Sequence, residues 1–530
     1  MKFSLSDYPG MNRFVLDWLE GKTDAFLPRV RQAPSPVGGQ AGAPDVHAGP
    51  PDLPAALIES NKRWGLFVRD EVEAWARGDS VALIAGQQVG FAGGPLYTLA
   101  KIASLVKMKR QLRAEGKRAT IFFWLATEDH DFDEAAALSI PVSTLPASKE
   151  VNRQLDLVQL AVRRGIESRA MVGPQPVPEP LIAQLLALFD LDRPSWLREG
   201  IAFRDSFAEL LAMTFDEPIV LVDALLPELR RAGGSLFRQI ASRADDVQKA
   251  LAERSAALQS AGYSPQVIPR EGDPYSLFFK MDSEGNRELM SAPFDIDDPA
   301  CISTSALTRP LLQDFVFRPA VFIGGPSEVA YYAQIAPLHD LLGVPMPKVA
   351  LRGHALVAPK RLVRAFDRYA IEPREVFQSA DAIIAEREPE AVQRVKALAA
   401  DAKRDLLARI EQIGEIALPA EHALARAIHR SIGHIEYHFG KLTERAIKGL
   451  ARKDRERWTA VRELVATLHP DRHVQDRVVG WLPLLLSVGQ APSPVPEAPG
   501  RLSYTYDKLL VERMIEEIEP DSAVCKVVAR

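Results

Sequence analysis

The chain has 530 residues, 47% hydrophobic and 25% charged, with a formal net charge of −5. That length exceeds what one hydrophobic core usually serves and predicts two or more structural units. The mildly acidic balance excludes the basic footprint of a nucleic-acid binder. No apolar stretch approaches the ~18 residues of a membrane-spanning helix. The opening MKFSLSDYPGMNRF carries no export signal. The two cysteines, Cys301 and Cys525, form no CxxC or Cys/His spacing, which excludes a disulfide framework or a cysteine-rich metal site. The cytoplasm is the expected compartment, with no nucleic-acid or membrane partner.

In chain order, residues 31–54 are rich in Pro, Gly and Ala and read as a linker. VALIAGQQ (81–88) is an apolar run closed by Gly. From Tyr97 to Arg113, Leu99, Ile102, Ala103, Val106 and Leu112 then recur near helical spacing. ATIFFWLAT (119–127), IVLVDA (219–224) and AVFIGG (320–325) are further short apolar runs ending in Gly or acidic residues, as buried parallel strands should. The fold class is therefore α/β, a parallel-sheet core with ligands expected at the strand C-termini. Residues 1–140 form the N-terminal segment and first part of the core, with 216–224 and 311–384 completing it. Insertions are expected over 141–215 and 225–310. They hold helices at Leu181–Phe189 and Leu236–Gln259 and a hairpin of Tyr275–Met281 with Arg287–Ser291.

From 385 to 470 the periodicity changes. Ala399, Ala402, Leu406 and Ile413 predict one long helix. Ile428, Ile432, Ile435, Phe439, Leu442 and Ala446 predict a second, and the pair forms an antiparallel coiled-coil arm. His422, His429, His434 and His438 lie in the arm and read as helix-surface residues. Residues 471–530 are a tail.

Four motifs can carry chemistry. The first runs from Gly86 through Gln87, Gln88, Gly90, Gly94, Tyr97 and Thr98 to Lys101: a strand, a four-glycine turn and a helix start with Pro95. Such corners hold phosphate or carboxylate groups; a purely structural turn is the alternative. It is neither GxxxxGK[ST] nor GxGxxG. The second follows Trp124. Glu128, Asp129, His130, Asp131, Asp133 and Glu134 crowd five carboxylates and a histidine at a strand end. Crowding raises carboxylate pKa values, which suits a general base or a cation site. The absence of HExxH spacing argues against zinc. The third is Thr308-Arg309-Pro310-Leu311-Leu312-Gln313-Asp314, where Arg309 could clamp a carboxylate or phosphate, a surface or structural arginine being the alternative. The fourth is a second strand–Gly–Pro–helix corner, with Gly325, Ser327, Glu328 and Tyr331.

Taken in order, GQQVGFAGGPLYTLAKI, FWLATEDHDFDE, TRPLLQDF and GGPSEVAYYAQI resemble the BshC family of bacillithiol-forming cysteine ligases. Leu351-Arg352 stands where that family often has Pro-Arg, and Gly480-Trp481 follows a retained Arg477. The resemblance implies a Rossmann-like core with connecting-peptide-like insertions, and a coiled coil that joins two copies into a homodimer. It also implies addition of L-cysteine to the free amine of glucosamine-malate, completing bacillithiol. Amide formation needs an activated carboxyl, so ATP, with Mg²⁺, is the natural co-substrate, though no motif marks either. The Gly86–Thr98 corner with Lys101 is expected to bind phosphate or carboxylate, the acidic cluster to take the amine or a metal, and Arg309 to anchor a carboxylate. Gly325–Tyr331 would form the opposite wall. Two other readings use the same residues: a nucleotidyltransferase or metal-dependent hydrolase, and a non-catalytic coiled-coil scaffold.

Overall fold

A computed structural model of the chain describes residues 1–29, 52–145, 149–152, 155–164, 169–387, 390–417, 424–451, 455–486 and 508–529. Most of the 31–54 linker, His422 and the 491–500 run lie outside these, as does the His429 side chain. The chain divides into two compact units. The first comprises Met1–Ala358 with His473–Arg530, the second Pro359–Arg472. The second unit thus begins at Pro359 rather than 385, and the tail belongs to the first.

The core of the first unit is a five-stranded sheet: β1 (Val81–Gln87), β2 (Ala119–Leu125), β3 (Ile219–Asp223), β4 (Val321–Gly324) and β5 (Lys348–Leu351). Four of these match the expected runs. β5 is too short and too close to the next strand to stand out in sequence. The spatial order is β5-β4-β1-β2-β3, parallel throughout. All seven residues of β2 are buried, which explains its unbroken apolar sequence. The direction of winding reverses between β1 and β4, and ligands of open α/β sheets bind in the crevice beyond such a pair. Both glycine corners lie here. β1 leads into helix α1 (Leu96–Ala114), and α2 (Arg309–Phe317) leads through β4 into α3 (Pro326–Leu342). Gly86 is set by close approach: a Cβ there would lie 2.9 Å from the Cβ of Trp124 on the neighbouring strand.

A smaller sheet joins Lys2–Ser4, Val524–Ala529 and His354–Ala358. It draws both ends of the chain against the core, a long-range pairing that no local pattern announces. The insertion hairpin forms as Phe278–Met281 with Arg287–Leu289. The helix expected over 236–259 is two, Gly234–Ser242 and Ala244–Ser260, separated at Arg243.

In the second unit, α4 (Glu390–Ala417) and α5 (Leu424–Ala451) pack along each other, with Lys403 Nζ 2.8 Å from Glu436. The seam differs in detail from the sequence reading. Ile413 is 60% exposed, while Ile410 and Gly414 turn inward. Beyond Phe439 the seam passes to Thr443 and Ile447, leaving Leu442 64% exposed. The straight-helix repeat of ~3.6 drifts away from a fixed heptad stripe over this length. Arg455–Leu468 packs instead against Lys360–Arg368 and Ala380–Glu386. Among the described residues no helix is long and apolar enough to cross a membrane.

The free edge of β3 is closed by one side chain. Buried Asn61 donates to Leu221 O at 2.8 Å and accepts from Leu221 N at 2.8 Å, standing in for a neighbouring strand. Asn61→Leu leaves both backbone groups buried and unpaired, and should lower unfolding free energy by about 3 kcal/mol in a denaturant titration.

Candidate active site

At the switch point the two corners are tied by one ammonium group. Lys101 is buried; its Nζ donates to Gly86 O (2.7 Å) and Gln87 Oε1 (2.9 Å) and pairs with Glu328. Glu328 also accepts from Gly325 N at 2.7 Å. These acceptors account for all the donors an ammonium has, so in this arrangement Lys101 braces the corners rather than reaching a ligand. Burial, with Arg352 and Arg309 nearby, holds its pKa down against Glu328.

The backbone of the first corner is similarly occupied. Gly93 N and Gly94 N donate to Gly90 O and Phe91 O, and Leu96 N, the start of α1, donates to Val479 O. The tail supplies that cap. Gly480 N bonds Ser139 O, and Trp481 Nε1 donates to Gly93 O at 2.8 Å. A Cβ on Gly93, whose φ is +87°, would lie 2.3 Å from the Trp481 ring. The amides of Gly93, Gly94 and Leu96 are therefore committed within the protein.

A cavity of about 200 Å³ opens between the corner, the acidic segment and the tail, lined by Gln87, Gln88, Gly90, Gly94, Tyr97, Glu134 and Arg477 among others. Gln88 Nε2 donates to Asp131 O at 3.1 Å, so the acidic segment lies directly against the corner. Within that segment the carboxylates have separate tasks. Asp129 accepts from the amides of His130 and Asp131. Asp131 caps a short helix by accepting from Glu134 N, and Asp133 accepts from Arg164 N. His130 is exposed. Glu128 turns inward, 5% exposed, pairing with Arg230 and accepting from Ser303 Oγ at 2.7 Å. It holds the insertion strand that leads into Arg309. Glu134 remains at the cavity. Partial burial, then Asp131 and Asp129, raise its pKa.

Tyr97 stands between the cavity and the brace. Burial first, then Glu134 and Glu328, push its pKa to about 12, so its hydroxyl stays protonated. Arg309 lies with its guanidinium carbon 5.9 Å from the centre of the Trp124 ring and donates to Tyr331 OH at 2.6 Å. Burial raises the Tyr331 pKa despite that neighbour. Arg352 lies 5.7 Å from the centre of the Tyr97 ring and pairs with Asp476 at 2.8 Å. Burial lowers its pKa to about 10, which leaves it charged at neutral pH. Burial pushes Asp476 up to about 7 against the pull of Arg477. With Lys101 and Glu328 offsetting each other and Arg352 paired with Asp476, it is Arg309, bonded among the described residues only to the neutral Gln313 and Tyr331, that leaves the crevice positive, suited to carboxylate or phosphate. Two buried polar atoms here, Thr98 Oγ1 and Trp124 Nε1, have no partner among the described residues, as expected of atoms that meet a ligand or water. Ser327 is exposed in the first turn of α3.

The sequence reading gave Glu134 a role only as one member of the acidic cluster, and gave none to Arg352 or Asp476. Arg352 and Asp476 had no local signal, because their pairing spans 124 positions. Among the described residues no group of three or more His, Cys, Asp or Glu is placed to hold a metal.

A parallel sheet wound in this order, a ligand crevice at its switch point and a helical-hairpin unit define a Rossmann-like α/β protein with a coiled-coil domain. The model for the N-terminal Rossmann-like domain of the bacillithiol biosynthesis protein BshC matches residues 51–297 and 294–353, and that for its C-terminal coiled-coil domain matches 355–491. Three similar proteins carry the name "Putative cysteine ligase BshC". The one from Solibacter usitatus is 31% identical over 77% of this chain and 80% of its own length. That from Koribacter versatilis is 26% identical over 92% and 94%. That from Staphylococcus carnosus is 26% identical over 81% and 84%. The chain belongs to the BshC family of bacillithiol biosynthesis.

Replacing Glu128 tests its structural role. Burial alone would raise its pKa, but Arg230, Arg287 and Ser303 hold it below the ordinary 4.5. Its stabilisation is therefore complete above that value and is lost as pH falls below it. Glu128→Gln leaves Arg230 buried and uncompensated, so stability at pH 7 should drop by about 3–5 kcal/mol. Denaturant titrations across pH should show the difference between variant and wild type narrowing on the acid side.

Proposed function

We propose that this protein is a cytoplasmic ligase that joins the carboxyl group of L-cysteine to the amine of glucosamine-malate, forming bacillithiol. The observation that carries the reading is the pairing of a positive crevice, at Arg309, with a carboxyl of raised pKa, Glu134, on the adjoining cavity. Family membership supports the same chemistry. Arg309 anchors a carboxylate of malate or cysteine. Glu134, its pKa raised by desolvation and then by Asp131 and Asp129, takes the proton from the substrate ammonium. The freed amine nitrogen attacks the activated acyl carbon, the N–C bond forms, and the C–O bond to the phosphate leaving group breaks. Tyr97, protonated throughout, and the Gln87 and Gln88 carboxamides orient the polar groups between these charges.

ATP, with Mg²⁺, is the proposed source of activation, converting the cysteine carboxyl into an adenylate or acyl phosphate. Arg309, Thr98 Oγ1 and Trp124 Nε1 fit such a polar anion, whereas the bonded amides of Gly93, Gly94 and Leu96 do not supply a phosphate cradle. Two copies are proposed to associate through the arm, whose outward Leu398, Ile413, Ile416, Tyr437 and Leu442 are apolar and exposed.

Incubating the protein with glucosamine-malate, L-cysteine and ATP should yield bacillithiol by mass detection, with AMP or ADP identifying the activated species. Glu134→Gln should reduce turnover by about 100-fold or more, and Arg309→Ala should raise the KM of the carboxylate-bearing substrate by about tenfold or more, while the melting temperature stays near wild type in both. Full activity in both would remove the assignment. The wild-type rate should decline on the acid side as Glu134 takes up a proton, at a pH above its ordinary 4.5. Leu442→Lys combined with Ile416→Lys should convert a dimer to a monomer in sedimentation. An unchanged mass would place the dimer contact elsewhere.

A further inference from the structure

The TRPLLQDF motif places a carboxylate directly behind Arg309 without letting it touch Arg309. Gln313 and Asp314 are both fully buried. Three donors converge on Asp314: Tyr332 OH at 3.0 Å, His339 Nε2 at 3.0 Å and Gln313 Nε2 at 3.1 Å. A carboxylate can only accept, so the Gln313 amide must turn its nitrogen toward Asp314. Tyr332 OH accepts from the same nitrogen at 3.3 Å. The amide oxygen is thereby left facing the first turn of α2, where it accepts from Arg309 Nη1 at 3.2 Å. Arg309 and Gln313 stand one helical turn apart, so this contact needs no distortion.

Both acceptors that Arg309 meets, Gln313 Oε1 and Tyr331 OH, are neutral. A carboxylate in the Gln313 position would pair with the guanidinium through two parallel hydrogen bonds and compete with any anionic ligand. Held one residue further back, a carboxylate fixes the direction of the hydrogen-bond chain and leaves the remaining N–H groups of Arg309 for the crevice.

We propose that Asp314 is a positioning residue for Arg309: through Gln313 it orients the guanidinium, unneutralised, to receive the substrate carboxylate. This rests on the assignment of Arg309 to that carboxylate given above. Asp314 thus governs how well the carboxylate-bearing substrate binds rather than the rate of the chemical step.

The test is steady-state kinetics with glucosamine-malate, L-cysteine and ATP on wild type, Arg309→Lys, Gln313→Glu and Asp314→Asn, with thermal unfolding of each. Gln313→Glu presents a charge to Arg309. Asp314→Asn can donate as well as accept, so the Gln313 amide is free to turn over. Whichever substrate has its KM raised by Arg309→Lys should show a KM about tenfold higher in Gln313→Glu and a smaller rise in Asp314→Asn. Turnover should stay within about threefold of wild type in both. If Arg309→Lys raises KM but neither of the other two does, the positioning role is overturned. The same holds if they lower kcat at unchanged KM. If Arg309→Lys leaves both KM values unchanged, the carboxylate assignment itself has failed, and the positioning role falls with it. Should Asp314→Asn not fold, Gln313→Met removes the same acceptor at similar volume and should give the same rise; an unchanged KM there overturns the proposal.

Discussion

An ammonium group buried between two strand ends must find an acceptor for each of its donors or lose its charge, and Lys101 finds them on both sides of the sheet's switch point. Gly86 O and Gln87 belong to one corner and Glu328 to the other, so the two corners are held at a fixed separation by groups in low dielectric, where such contacts are strong. The consequence for the crevice is electrostatic. Glu328 is engaged by Lys101 and by the Gly325 amide, and Asp476 by Arg352. Arg309, whose two acceptors among the described residues are both neutral, is then left without a compensating carboxylate. A crevice that has its own acid already committed is one that attracts an acid from outside.

The tail completes what the brace begins. Val479 caps α1, Gly480 bonds Ser139 just beyond the acidic segment, and Trp481 lies on Gly93 so closely that no other residue fits beneath it. Asp476, a few residues earlier, holds Arg352. A segment more than 380 residues from the corner therefore lines the cavity through Arg477 and positions an arginine. The departures at Gly480-Trp481 and Leu351-Arg352 fall on these contacts. The Leu138 side chain lies where a Cβ on Gly480 would be, at 2.2 Å.

The acidic segment illustrates how far composition can be read. Crowded carboxylates after a buried strand pointed to the strand end, and in the fold the segment abuts the glycine corner through Gln88 and Asp131. Composition could not divide the labour. Glu128 follows the direction of β2 into the interior and meets Arg230, and Asp129 and Asp131 fold back on nearby amides. Glu134, one helical turn later, is the member that reaches the cavity. Identical side-chain chemistry led to different roles because backbone direction changes at each step of the turn. Lys101 is a parallel case, a cation beside a glycine corner whose donors turn out to be taken by the corners themselves.

Four of the five core strands, the glycine corners, the insertion hairpin and the two long arm helices were legible from the chain, because each is written in local periodicity and turn chemistry over a few consecutive residues. Strand order, the sheet shared by the two chain ends, the inward turn of Glu128 and the Arg352–Asp476 pair were not. Each depends on which distant segments meet, and that is settled by packing of the whole core rather than by any stretch of sequence. The motifs specify which groups are available; the fold decides which of them remain unpaired, and those are the ones left to act on a ligand.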